Sequence, residues 1–259
     1  MENWKQFLNE SGDPYIEDLA LYTENRGGMF YLILYKPKIS RNGWLFWDTR
    51  GAGGRGGGDG KIARPVIVAY LGVNKLSSKE NPCVPHTFQV RYSATNSNYQ
   101  RKGYGTFMYK LLAAVIASEA GDNGGGITSD HIHSSSPGAK ATWNKIDSRV
   151  KDLERRETEM GNDEFDYDGK LTPNDPQDDC KLPPGGKKVT AADHSYRLTN
   201  KKYIEVYNDL INKHSEIMKT GLKRGPQFKS SAYENLLLDL SSKQFSTEYQ
   251  KADYHPYRL

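Results

Sequence analysis

The chain has 259 residues and a mass of 29.2 kDa, the size of one large domain or two small ones. Its hydrophobic share of 36%, with 17 Tyr, 8 Phe and 4 Trp, anchors a core and excludes a disordered chain, although mean hydropathy is −0.79. The net charge of +4 hides an asymmetry: Asp152 to Asp179 holds eleven acidic residues against three basic ones, leaving a basic remainder suited to an anionic ligand, a nucleotide cofactor or a nucleic acid.

The longest apolar run, Leu111 to Ala117, has seven residues, far short of the roughly 20 that a membrane span takes. The opening Met-Glu-Asn-Trp-Lys-Gln has no basic stretch leading into an apolar one, so no secretory signal is expected, and Glu2 excludes myristoylation. Cys83 and Cys180 stand far apart, forming neither a disulfide framework nor a metal knuckle. A cytoplasmic location follows as the expectation, with no membrane partner.

In chain order, residues 3–10 read as a short amphipathic helix. Met29 to Tyr35, Gly43 to Asp48 and Ile62 to Val73 read as strands of an antiparallel meander, separated by Gly, Pro, Asn and Ser. His86 to Thr95 alternates as a fourth strand. Gly105 to Ala120 is the strongest helix, with Phe107, Met108, Leu111, Leu112, Val115 and Ile116 at 3–4 spacing, stopped by Gly-Asn-rich text. Ile127 to Ile132 is a fifth strand, and Ser136 to Val150 a second helix opened by Pro137. Residues 152–190 are rich in Asp, Glu, Pro and Gly and read as an acidic, loop-rich insert. His194 to Leu198 returns as a strand, followed by amphipathic helices over Tyr203 to Thr220 and Ala232 to about Phe245. This order predicts an α/β (α+β) fold with a mixed sheet.

Two glycine motifs invite comparison. Gly51-Ala-Gly53-Gly-Arg-Gly56 matches a dinucleotide fingerprint in letters, but a strand follows it where that motif needs a helix, so it reads as a hairpin loop whose Arg55 is free to touch a partner. Gln100-Arg101-Lys102-Gly103-Tyr104-Gly105 lies between a strand and the strongest helix. Its glycines allow a sharp turn that points successive N–H groups at one spot, and the helix N-terminus adds its dipole: an anion site, reinforced by Arg101 and Lys102.

This Gln-x-x-Gly-x-Gly turn resembles the acyl-CoA signature of GNAT-type N-acetyltransferases. Thr87 to Thr95 resembles that family's fourth strand and Gly126 to Asp130 its fifth. Ser136-x-x-Ala139-x-x-Thr142-Trp143-Asn144-Lys145 resembles its next helix. The wording around Ser129-Asp130 and Ser135-Ser136-Pro137 also resembles GNAT-like proteins of bacterial viruses, which would place the chain in a host cytoplasm. The resemblance covers about residues 28–147. It implies a GNAT-like, mostly antiparallel twisted sheet flanked by helices. The chain then divides into a helical lead-in (1–27), an acyl-CoA-binding core (28–150), the acidic insert (151–192), and a last strand with a C-terminal helical extension (193–259).

The resemblance implies acetyl-CoA as cosubstrate. Backbone groups at Ser93 and Thr95 would hold the pantetheine, the N–H near Ser93 would polarise the thioester, and Gln100, Arg101, Lys102, Gly103, Tyr104, Gly105 and Thr106 would cradle the pyrophosphate. Ser136 would hydrogen-bond the pantetheine. The sequence departs from the family at two places: Gln89 stands where many members have a Glu base, and Trp143 where many have a Tyr acid. Neither an amide nor an indole replaces these. Substitute catalytic candidates are Asp130, His131 and His133 at the end of the fifth strand, His86 at the start of the fourth, and Tyr92 within it. His131-x-His133 beside Asp130 lacks a third ligand, so no metal is expected.

Two functions follow. One is direct acetyl transfer, in a ternary complex, to an amine: a protein lysine or N-terminus, a small amine or a modified base. The alternative is a catalytically inactive GNAT-fold interaction or particle protein, with a protein partner docking on the C-terminal helices.

Overall fold

The computed structural model describes residues 12–37, 65–75, 87–121, 126–129, 137–155, 191, 194–223, 233–235 and 237–243. They form a seven-stranded sheet made of β1 (Ala20–Arg26), β2 (Met29–Lys36), β3 (Val66–Lys75), β4 (Thr87–Thr95), β5 (Gly126–Ser129), β6 (Leu153–Arg155) and β7 (Tyr196–Leu198). The spatial order is β1-β2-β3-β4-β5-β7-β6. The helices are α1 (Tyr104–Ala120), α2 (Pro137–Arg149) and α3 (Lys202–Lys223), and residues 233–235 and 237–243 are also helical. All pairings are antiparallel except β4 with β5, which run parallel. The protein is therefore mixed α/β, with a mostly antiparallel sheet flanked by helices.

The sheet begins with a tight hairpin. Gly27 and Gly28, at φ +60° and +79°, form a two-residue turn between Arg26 and Met29, the left-handed pair that matches strand twist. Apolar residues then alternate between two cores. On the first face Leu21, Leu32, Leu34, Leu71, Val73 and Val90 pack against α1. On the second, Tyr22, Ile33, Tyr35, Ile67 and Tyr70 pack against Met218, Tyr233, Leu237 and Leu238.

Helix α1 is buried along its whole middle, from Phe107 to Ile116. It packs against β2, β3, β4, β5 and β7 of the sheet and against α2 and α3. Helix α3 also packs along β1, and its buried stripe serves both cores: Tyr203, Val206 and Leu210 belong to the first, Met218 to the second. The C-terminal helices are thus part of the body of the fold, as amphipathic helices usually are.

Lys110 falls inside the buried run of α1 and is 4% exposed. Its ammonium lies 2.9 Å from Asp13, 2.8 Å from Asp152 and 2.7 Å from the Tyr203 hydroxyl. Tyr203 also donates to Asp13, and Asn200 donates to Asp152 at 3.2 Å. Burial pushes the Asp152 carboxyl up, but Lys110, Asn200 and Tyr203 outweigh it and hold the carboxyl below its ordinary range. The network ties the segment before β1, α1, the entry to β6 and the start of α3 into one unit.

The structure departs from the sequence reading in two places. Residues 20–26, expected within a helical lead-in, form β1. Leu153–Arg155, expected as the start of the loop-rich insert, form β6, which pairs with β7, so the acidic segment joins two neighbouring strands. The expected helix at 3–10, the strand at Gly43 to Asp48, the Gly51–Gly56 motif and both cysteines lie outside the described residues.

Candidate functional site

The anion-binding expectation rests on the junction of β4 with α1. Strand β4 pairs with β3 along its length, but between Gly72 and Val73 the register shifts: Gly72 faces Tyr92 and Val73 faces Val90, so Arg91 is an extra residue. Such a bulge sharpens the local twist and re-aims the residues beyond it. Tyr92 then points to the second face, over Gly72. Ser93, on the first face, makes a hydrogen bond with the Tyr109 side chain of α1. Among the described residues, β5 pairs with β4 from Thr87 to Val90, and Tyr92 to Thr95 pair with β3.

After Thr95 the chain is held by its own side chains. Asn96 accepts from the Asn98 N–H at 3.1 Å and donates to the Ile67 carbonyl at 3.0 Å. The Gln100 amide donates to the Thr95 carbonyl at 3.1 Å, so this side chain braces the turn. Arg101 has φ +61°, the only non-glycine at positive φ among the described residues, and Gly103 has φ +89°. A left-handed arginine costs roughly 1–2 kcal/mol and persists where its surroundings demand it. Gly103 occupies the N-cap of α1 with no side-chain cap, so the helix's first N–H groups keep their donors and positive dipole.

The side chains around this turn divide the work. Arg101 is exposed. Lys102 is drawn back to the Asn98 carbonyl at 2.8 Å, over the Tyr99 ring. Tyr104 turns inward, donating to the Tyr15 carbonyl at 2.8 Å and meeting Tyr99 edge-on, so only its backbone faces the turn. A Cβ at Gly105 would sit 3.4 Å from the Thr95 hydroxyl, which shows how closely the end of β4 meets the helix start. The junction is equipped to receive a phosphate-type anion through backbone N–H groups, with Arg101 at its rim.

Of the expected site residues, the structure brings together Ser93, Thr95 and the segment from Gln100 to Thr106. Asp130, His131, His133 and Ser136 lie outside the described residues, as does His86. Tyr92 is 39% exposed and stands on the second face, beside Tyr31. Gln89 is buried on that same face, level with Asn74 of β3 and Thr128 of β5. Trp143 is buried, edge-on to Tyr109 at 5.0 Å and stacked on Tyr196 at 5.6 Å. No group of three or more His, Cys, Asp or Glu side chains arranged for a metal occurs among the described residues.

Sequence reasoning missed Tyr109. It stands outside the apolar 3–4 pattern read for this helix, yet its phenol reaches Ser93, and burial pushes it up to about 12 while the Ser93 hydrogen bond pulls it down. A shallow cavity of about 350 Å³ lies at the far end of α1, between Ile116, Gly121, Glu154 and Arg197, and is separate from the turn. No helix among the described residues is long and apolar enough to cross a membrane. No family model, no curated protein and no solved structure matches the chain.

Proposed function

We propose that the chain binds acyl-CoA at the Gln100–Thr106 turn and transfers an acetyl group to an amine. The observation that carries this reading is the pair of positive-φ residues, Arg101 and Gly103, which opens an uncapped helix N-terminus beside the end of β4. The single parallel pairing, between the fourth and fifth strands of an otherwise antiparallel sheet, supports the GNAT resemblance. In this reading the pyrophosphate accepts from the α1 N-terminus and the pantetheine lies along Arg91 to Thr95. The amine lone pair attacks the thioester carbon: the C–N bond forms, the C–S bond breaks, and the sulfur leaves with the electron pair. The proton shed by the amine passes to the sulfur or to water, giving amide and free thiol.

Calorimetric titration with CoA and acetyl-CoA tests this directly. Micromolar binding that disappears in Gly103→Asp, where a carboxylate enters the anion site, is the expected result. No binding at millimolar ligand, or equal affinity in the variant, overturns the reading.

One observation favours a second reading, a CoA-binding module without catalysis. Gln89 and Trp143, at the positions where the resemblance implies a base and an acid, are buried at 2% and 1% exposure. Thiol release across an amine panel separates the two readings: binding without release supports the module.

A further inference from the structure

The second face of the sheet carries an aromatic surface beside the proposed thioester position. Cross-strand pairing sets Glu24, Tyr31, Gly72 and Tyr92 in one row over four strands. Because Gly72 has no side chain, its neighbours close over it. A Cβ there would lie 3.1 Å from the Tyr92 ring, 3.3 Å from the Tyr31 ring and 3.2 Å from the Met29 methyl. Tyr70, from the adjacent row, stacks against Tyr31 at 5.9 Å with 18° between the planes. Tyr31, half-buried, and Tyr92, 39% exposed, make an aromatic floor that ends next to Ser93, with the buried Tyr70 packed against Tyr31.

The charge on this floor has one sign. Glu24 begins the row, and one of its oxygens accepts from the Tyr22 hydroxyl at 2.6 Å. Glu234 lies close enough that the Glu24 charge helps to raise its carboxyl, after burial. The phenols of Tyr22 and Tyr70, buried and raised mainly by that burial, stay neutral and add no charge. Arg26 belongs to the next row, and its guanidinium donates to Asn235 at 3.5 Å. π faces with a carboxylate at one end attract a cation, whereas the α1 N-terminus across the sheet attracts an anion.

We propose that the Glu24–Tyr31–Gly72–Tyr92 row is the acceptor-binding surface, and that the acceptor is a small linear polyamine. The inference rests on the acetyl-transfer reading. The row spans three inter-strand steps, roughly 14 Å. An amine with a second cationic nitrogen fits that span: the distal ammonium meets Glu24, the chain lies on the tyrosines, and the reacting nitrogen, deprotonated, reaches the thioester beside Ser93. Gln89, neutral and buried in the neighbouring row, adds no competing charge.

The test uses the full chain with spermidine as probe, titrated by calorimetry with and without saturating CoA. The expected result is spermidine binding that weakens about tenfold in Tyr92→Ala and in Glu24→Gln, while CoA affinity in Glu24→Gln stays within about twofold. Tyr92→Leu serves as a second variant that keeps apolar bulk and removes the π face, and thermal melts check that each variant folds. Spermidine binding indifferent to these substitutions, or absent at millimolar concentration, overturns the proposal. CoA binding without spermidine binding leaves the acetyl-transfer reading standing and removes only this surface. Spermidine binding that depends on Tyr92 and Glu24 without CoA binding keeps the cation surface and removes the reading.

Discussion

The Tyr35 hydroxyl in β2 lies 2.8 Å from Nδ1 of His214 in α3, at the point where α3 passes to the second face of the sheet. Tyr22 lies against the same imidazole at 5.0 Å, and Glu234 Oε1 is 3.9 Å from Nε2. Burial holds the imidazole at about 4, well below its ordinary 6.5. The unfolded chain therefore takes up this proton first as pH falls. The stability contribution is complete above about pH 6.5 and is lost as pH falls toward 4, by about 3 kcal/mol at most. The Glu234 carboxyl, raised by burial and by Glu24, works in the opposite sense, so a paired comparison is needed. His214→Gln retains a hydrogen-bonding partner for Tyr35 and removes the titration. Urea unfolding at several pH values should give a flatter dependence between pH 6.5 and 4 in the variant; parallel curves would mean that His214 takes up its proton equally in the folded and the unfolded chain.

The Lys110 network makes a prediction of opposite design. Its carboxylates, Asp13 and Asp152, are tolerated in the interior because a cation lies between them. Lys110→Met keeps the helix and the volume but leaves the two carboxylates facing each other, and should destabilise the protein by about 3–5 kcal/mol at pH 7. Asp152 has a lowered folded pKa, so its stabilisation is present above its unfolded value of 3.8 and lost as pH falls through the folded one. In Lys110→Met the carboxylates relieve their repulsion by protonation, so the difference from wild type should shrink as pH falls below about 4. Denaturant midpoints at pH 7 and pH 3.5 check both parts.

Gly126 opens β5 at φ +87°, and a Cβ there would stand 2.2 Å from the Tyr196 carbonyl oxygen. That carbonyl belongs to β7, so neither backbone can yield without separating the strands. Gly126→Ala should cost about 3 kcal/mol or more. Gly27, at φ +60° in the β1–β2 hairpin with nothing within 4 Å of its Cβ position, is the control: Gly27→Ala carries the left-handed penalty alone, about 1 kcal/mol. Equal midpoint shifts in the two variants would show that the contact with Tyr196 carries no cost.

What the sequence reveals depends on how local the cause is. Strands β2, β3 and β4 and helices α1, α2 and α3 were legible because their apolar spacing is set within each element. Strand β1 carries the same kind of signal, Ala20-Leu-Tyr-Thr-Glu followed by the Gly27-Gly28 turn, and was missed because a short helix upstream drew the segment into a helical lead-in. Strand β6 has three residues and exists only because β7 returns beside it, which no local pattern states. At the candidate site, the Gln100–Gly105 turn was readable from its glycines and the helix that follows. The left-handed Arg101 was not, since arginine has no such preference. The tyrosine floor was invisible as a unit: Tyr31, Tyr70 and Tyr92 meet only through sheet register and the bulge at Arg91.

Trp143 and Tyr109 separate the structural demands of this region from its chemical ones. The resemblance implies a tyrosine acid at position 143, but the indole there fills the gap between the Tyr109 edge and the Tyr196 face. Tyr196 is itself fixed, donating to the Ala191 carbonyl at 2.7 Å and to Asp147 at 3.1 Å. Trp143→Tyr therefore puts a smaller ring and a new hydroxyl among buried rings. It should cost about 1–3 kcal/mol of stability and bring no gain in thiol release. Tyr109→Phe is the complementary change. It keeps the ring that packs on Trp143 and deletes the phenol that meets Ser93. If acetyl transfer takes place beside Ser93, Tyr109→Phe should slow thiol release about tenfold or more with CoA affinity unchanged. Turnover that recovers in Trp143→Tyr and is untouched in Tyr109→Phe would move the proton donor back to position 143.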